Sequence, residues 1–169
     1  TLGCLLRTIN GGRNKCTLTL SSGATLVTQK TLGIISGTTA SVVNTITPTF
    51  NAAAKYIFNG TLTQNTNFKS NPQTMNSLTV NNSAGVVMTG AATVNGTLTL
   101  TSGNLTLGAN SVTLGSTATT AGNPGYSASN MIVTNSTGGV AKTVTANGSF
   151  VFPIGDNTGT VEYSPITID

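Results

Sequence analysis

The feature that most constrains this chain is a three-residue word, apolar–Thr–apolar, that recurs through its middle in a three-beat register. It reads Leu78-Thr79-Val80, Ala92-Thr93-Val94, Leu98-Thr99-Leu100, Leu105-Thr106-Leu107 and Val112-Thr113-Leu114, with Val86-Val87-Met88 as a degenerate member. The words start at 78, 86, 92, 98, 105 and 112. Three steps therefore cover 20 residues from 78 to 98, 19 from 86 to 105 and 20 from 92 to 112. Alternation at period two reads as a strand with one face buried. The separators Asn-Gly, Ser-Gly-Asn and Gly-Ala-Asn supply the residues that tight turns require.

Strands this short cannot each bury a core. Stacking successive periods removes the difficulty, because each coil covers the apolar side chains of the one below. The predicted fold is all-β, a right-handed parallel β-helix (β-solenoid) with coils of about 20 residues. Leu, Val and Ile rows lie inside it and Thr rows outside. A meandering antiparallel sandwich is the competing architecture, but its strands rarely keep a three-beat register with turns this short.

Upstream the pattern loosens through Thr17-Leu18-Thr19-Leu20, Thr25-Leu26-Val27, Gly33-Ile34-Ile35, Ser41-Val42-Val43 and Tyr56-Ile57-Phe58. Downstream, Ala121-Gly122-Asn123-Pro124-Gly125 breaks it. Longer strands are expected at 131–134, 140–146, 149–152 and 161–168, as a C-terminal antiparallel β-cap or partial sandwich. The expected organisation is an N-terminal cap over 1–30, the solenoid over 31–125, and a C-terminal cap and assembly segment over 126–169. Solenoids need such caps, since an open coil end is an unpaired sheet edge.

Composition narrows the function. Thr, Ser, Asn and Gly number 34, 15, 19 and 20 of 169 residues, and there is no His or Trp. Seven Lys/Arg face three Asp/Glu, giving a net charge of +4 that reflects scarce acids. Acid–base catalysis, metal ligation and nucleophile activation draw mainly on His, Asp, Glu and Cys. The chain is therefore not expected to be an enzyme, and no cofactor or metal is expected. Two Asp cannot furnish the Asp-bearing repeats of calcium-binding solenoids. Arg7, Arg13 and Lys15 cluster without interleaved aromatics, so no nucleic-acid partner is expected. No run of 18 apolar residues points to membrane insertion.

Cys4 and Cys16 are the two cysteines. In an exported protein they would form a disulfide across a short loop, worth about 3 kcal/mol; the alternative is two reduced, buried residues. Six Asn-x-Ser/Thr triplets, at Asn59, Asn81, Asn95, Asn104, Asn135 and Asn147, are about what chance gives in so Asn- and Thr-rich a chain.

Two stretches carry a family likeness: 56–60 with 77–86, and 93–108. A third is Phe150-Val151-Phe152-Pro153-Ile154-Gly155-Asp156-Asn157 followed by Tyr163-Ser164-Pro165-Ile166-Thr167-Ile168. From about residue 50 to 169 the chain resembles the repetitive secreted cell-surface proteins of Bacteroidota. That resemblance implies large chains exported by the type IX route and displayed as adhesins or filaments, of which this is expected to be one piece.

The leading expectation is a non-catalytic structural subunit or module of an extracellular cell-surface filament, whose partners are copies of itself. A nearly uncharged surface lacks much of what blocks edge-to-edge association. The 161–168 strand, with Val161, Tyr163, Ile166 and Ile168, is the expected assembly edge. An alternative is an adhesin module for surface glycans, with Tyr56, Tyr126 and Tyr163 as stacking platforms. A further one is an ice-binding face made from Thr79, Thr99, Thr106 and Thr113.

Overall fold

A computed structural model describes residues 18–35, 48–70 and 72–169. Cys4, Cys16, the word at 41–43 and most of the expected 1–30 cap lie outside these residues. Among the described residues the chain forms strands and turns with no helix.

The first strands are β1 (Thr19–Leu20), β2 (Thr25–Thr28) and β3 (Thr49–Phe50). Four triplets follow. They are β4 (Lys55–Phe58), β5 (Gln64–Asn65) and β6 (Gln73–Met75); then β7 (Ser77–Asn81), β8 (Val86–Val87) and β9 (Ala92–Val94). Next come β10 (Thr97–Ser102), β11 (Leu105–Thr106) and β12 (Val112–Leu114), and β13 (Thr119–Gly122), β14 (Ile132–Val133) and β15 (Val140–Lys142). The chain finishes with β16 (Phe150–Phe152), β17 (Ile154–Asp156), β18 (Glu162–Tyr163) and β19 (Ile166–Ile168).

From β4 to β15 the chain visits three sheets in fixed rotation, and each strand pairs in parallel with its counterparts one triplet away. The first sheet runs β2-β4-β7-β10-β13, the second β5-β8-β11-β14-β17-β18 and the third β6-β9-β12-β15. Leu78 lies opposite Leu98, Val86 opposite Leu105 and Ala92 opposite Val112. These are the three pairings that the spacing of the words requires.

Register makes the core. Leu26, Tyr56, Leu78 and Leu98 line up in the first sheet, followed one inward position on by Phe58, Val80 and Leu100. Leucines 78, 98, 100, 105, 107 and 114 are fully buried, each contributing about 1.5–3 kcal/mol through lost apolar surface. At the β4 end, Tyr56 makes edge contacts with Phe50 at 6.2 Å and Phe68 at 5.7 Å, and Phe68 meets Phe58 at 6.1 Å.

Corners rely on Asn side chains that satisfy the backbone of neighbouring coils. Asn82 donates to the Leu62 carbonyl at 2.8 Å, and Asn110 to that of Met88 at 2.9 Å. At one corner φ of Gly103 is +80°, and a Cβ there would collide with the Asn82 carbonyl. Only glycine fits that approach.

Parallel pairing crosses both boundaries expected from sequence. On the early side, β2 extends the first sheet from within 1–30. On the late side, Leu105 pairs with Ile132, Val112 with Val140 and Ile132 with Ile154. Between strands of the C-terminal segment, antiparallel pairing is found at β17–β18 and β16–β19, with an isolated antiparallel bridge at Ser127–Asn130. The expected antiparallel cap is thus a mixture, because the turns after β13 and β14 return the chain to the same sheets instead of reversing it. The single strand expected at 161–168 is two strands, parted at Ser164-Pro165. There Ser164 donates to the Ile154 carbonyl at 3.0 Å, and Pro165 has no N–H to offer a ladder.

Candidate functional site

Two surface features stand apart from the repeating coils: an apolar ribbon at β16–β19 and a polar cleft beside residues 123–130. In the ribbon, Phe150 pairs with Ile168, Val151 with Thr167 and Phe152 with Ile166. Period two therefore gathers Phe150, Phe152, Ile166 and Ile168 on one face. Phe150 packs against the core and its ring meets Phe152 edge-on at 4.9 Å. Ile166 and Ile168 remain 52% and 51% exposed, and Val151, on the other face, 40%. Among the described residues neither ribbon strand has a second partner.

The apolar face borders a groove of about 380 Å³ that Lys142, Val144 and Asp169 also line. Lys142 follows Met75, Val94 and Leu114 at an inward position of the third sheet. Its Nζ turns to the Gly115 and Ser116 carbonyls at 2.6 and 2.7 Å and sits 5.4 Å from the Phe150 ring centroid. A cation over an aromatic face, with two carbonyl acceptors, keeps this last rung satisfied.

The expected assembly residues separate. Ile166 and Ile168 form β19, whereas Val161 belongs to no strand and Tyr163 lies in β18 opposite Gly155. The Tyr163 ring stacks on Tyr126 with centroids 6.3 Å apart. Nearby, the Asp156 carboxyl is held below its usual range by the Thr158 N–H, which donates to it at 2.7 Å.

The three tyrosines proposed as sugar platforms also divide. Tyr56 is fully buried between Phe50 and Phe68, and burial pushes its phenol up to about 12, so it offers no surface. Lys55-Tyr56-Ile57-Phe58 gives the signal: Tyr56 shares the parity of the inward Phe58. Tyr126 borders the cleft together with Ser83, Thr101, Ser102, Ser127 and Asn130. The four Thr proposed as an ice-binding array fall on three sheets. Thr79 and Thr99 adjoin in the first, Thr106 is in the second and Thr113 in the third. They do not make one surface.

Sequence reasoning missed Phe150 and Phe152 as ribbon residues and the hydroxyls of the cleft. Alternation in Phe150-Val151-Phe152 marks a strand but not its partner, and the cleft joins segments far apart in the chain. Among the described residues no group of three or more His, Cys, Asp or Glu converges as a metal set, and no helix is long and apolar enough to cross a membrane. No family model matches this chain, and neither a curated protein nor a solved structure matches it.

Proposed function

We propose that this chain is a non-catalytic structural module of an extracellular, cell-surface filament, built as a right-handed β-solenoid and joined to copies of itself at the β16–β19 ribbon. The solenoid reading follows from the rotation through three parallel sheets. The general preference of parallel crossovers for the right hand supports that hand here. The surface location rests on the resemblance to repetitive secreted proteins of Bacteroidota exported by the type IX route.

The observation that carries the assembly reading is the ribbon itself. Edge strands are normally guarded by charge, bulges or proline. Neither Phe150–Phe152 nor Ile166–Ile168 contains a charge, and only Pro165 and Asp169 flank β19. A strand from a second copy adding to either edge would satisfy its free backbone groups and cover Ile166 and Ile168. A head-to-tail contact of that kind propagates when its rotation does not close.

Electron microscopy of the purified chain tests the proposal. Fibres are expected; discrete particles at every concentration would refute it.

A further inference from the structure

The cleft beside 123–130 is built differently from the rest of the stack. Along the second sheet the step between paired residues is 19 from Val86 to Leu105 and 27 from Leu105 to Ile132. Along the third it is 20 from Ala92 to Val112 and 28 from Val112 to Val140. The step in the first sheet is only 22 from Leu98 to Thr120, so most of the excess in both long steps comes from one insertion after β13. In solenoids, insertions map to loops on one face, which is often the binding face.

This insertion is held in place. Asn104 donates to the Ala128 carbonyl at 3.1 Å and accepts from the Met131 N–H at 3.0 Å. Asn130, itself buried, donates to the Gly125 carbonyl at 2.6 Å, and the Ser127 and Ser129 hydroxyls lie 3.1 Å apart. The loop therefore presents a fixed wall to a cleft of about 540 Å³, a volume within the range of small-ligand sites.

The lining sets the chemistry. It contains no Lys, Arg, Asp or Glu, so a phosphate, a carboxylate or a cation would find no counter-charge. Ser83, Thr101 and Ser102 line it, and among the described residues their hydroxyls make no hydrogen bond within the protein. Each is free to donate and to accept. Tyr126 is partly buried against the core, with its phenolic oxygen buried and one ring face against Tyr163, and it lines the cleft beside Pro124. The cleft thus offers neutral donors and acceptors on one side and an apolar ring on the other.

We infer that this cleft binds a neutral saccharide, with sugar hydroxyls exchanging hydrogen bonds with Ser83, Thr101 and Ser102 and a sugar C–H face resting against Tyr126 and Pro124. Such a ligand carries both hydroxyls and an apolar face without charge. The cleft shares no lining residue with the ribbon groove, so sugar binding does not depend on whether copies polymerise.

Saturation-transfer NMR on the full chain, with neutral gluco-, galacto- and manno-oligosaccharides and a sialylated one as contrast, tests this. Saturation of at least one neutral sugar is expected. Ser83→Trp fills the cleft from an exposed turn and is expected to weaken binding at least tenfold, with the unfolding midpoint unchanged. Thr101→Val removes one hydroxyl isosterically and is expected to weaken it about five- to tenfold. Failure of every neutral sugar to bind, preference for the acidic one, or binding unaltered in both variants would overturn the assignment.

Discussion

Replacing Gln64 by Leu puts a number on what a polar rung does inside an apolar stack. Gln64 is the first rung of the second sheet, in register with Val86, Leu105, Ile132 and Ile154, and it is fully buried. Its Nε2 donates to the Thr28 and Lys30 carbonyls, both at 3.1 Å. Its Oε1 accepts from the Gly60 N–H at 2.8 Å and from Asn82 Nδ2 at 2.9 Å. Leucine keeps the volume and removes all four bonds. The Lys30 carbonyl keeps the Gly33 N–H at 2.9 Å, and the Thr28 carbonyl keeps the Asn59 N–H at 3.0 Å.

The Gly60 N–H and one Asn82 amide hydrogen are left dry, at about 1–3 kcal/mol each. Added apolar burial by Leu offsets about 1–2 kcal/mol of that. At mid-range values a net loss of about 2.5 kcal/mol follows, or a midpoint lowered by about 5–10 °C for a domain of this size. Urea unfolding followed by far-UV circular dichroism reads it directly, with the denaturant slope unchanged. A loss below about 0.5 kcal/mol would refute the claim that Gln64 ties three coils together.

The Tyr56 phenolic oxygen is buried with no hydrogen-bond partner among the described residues, so Tyr56→Phe is expected to raise stability by about 1–2 kcal/mol. With its folded pKa at about 12 against 10 unfolded, the unfolded chain loses its proton first. Stability should therefore fall as pH rises from 10 to about 12, and urea unfolding across that window should show a shallower fall for the Phe variant. At the corners, Gly103→Ala meets both a positive φ and the Asn82 carbonyl, whereas Gly108→Ala meets a positive φ with nothing within 4 Å. Thermal unfolding should show the first costing well over 1 kcal/mol more than the second, and equal costs would deny the close approach.

What the sequence discloses and what it hides divide along physical lines. Words such as Leu98-Thr99-Leu100 expose their parity locally, and a constant step between them fixes which rung stacks on which. Where an inward rung is polar, as at Gln64 and Gln73, the alternation vanishes from view, because burial there is balanced by hydrogen bonds rather than by apolar surface. Gln73 is 3% exposed and accepts from the Ser70 hydroxyl at 2.9 Å. Where an insertion changes the step, as at 123–130, period counting loses the coil even though β14 and β15 rejoin their sheets. The ribbon was half legible: Ile166 and Ile168 could be named as exposed edge residues, but the pairing of β19 with β16 is non-local. Of the cleft only Tyr126 was legible, since Ser83, Thr101 and Asn130 meet only in the folded stack.

We propose that copies of this chain join through the β16–β19 ribbon. Sedimentation velocity over a wide concentration range, on the parent beside the Ile166→Lys, Ile168→Lys double variant, addresses it most directly. Both positions are half exposed, so the variant should keep its fold. Large, concentration-dependent species are expected for the parent and monomers for the variant. A parent that stays monomeric throughout, or a variant that assembles equally well, would contradict the proposal.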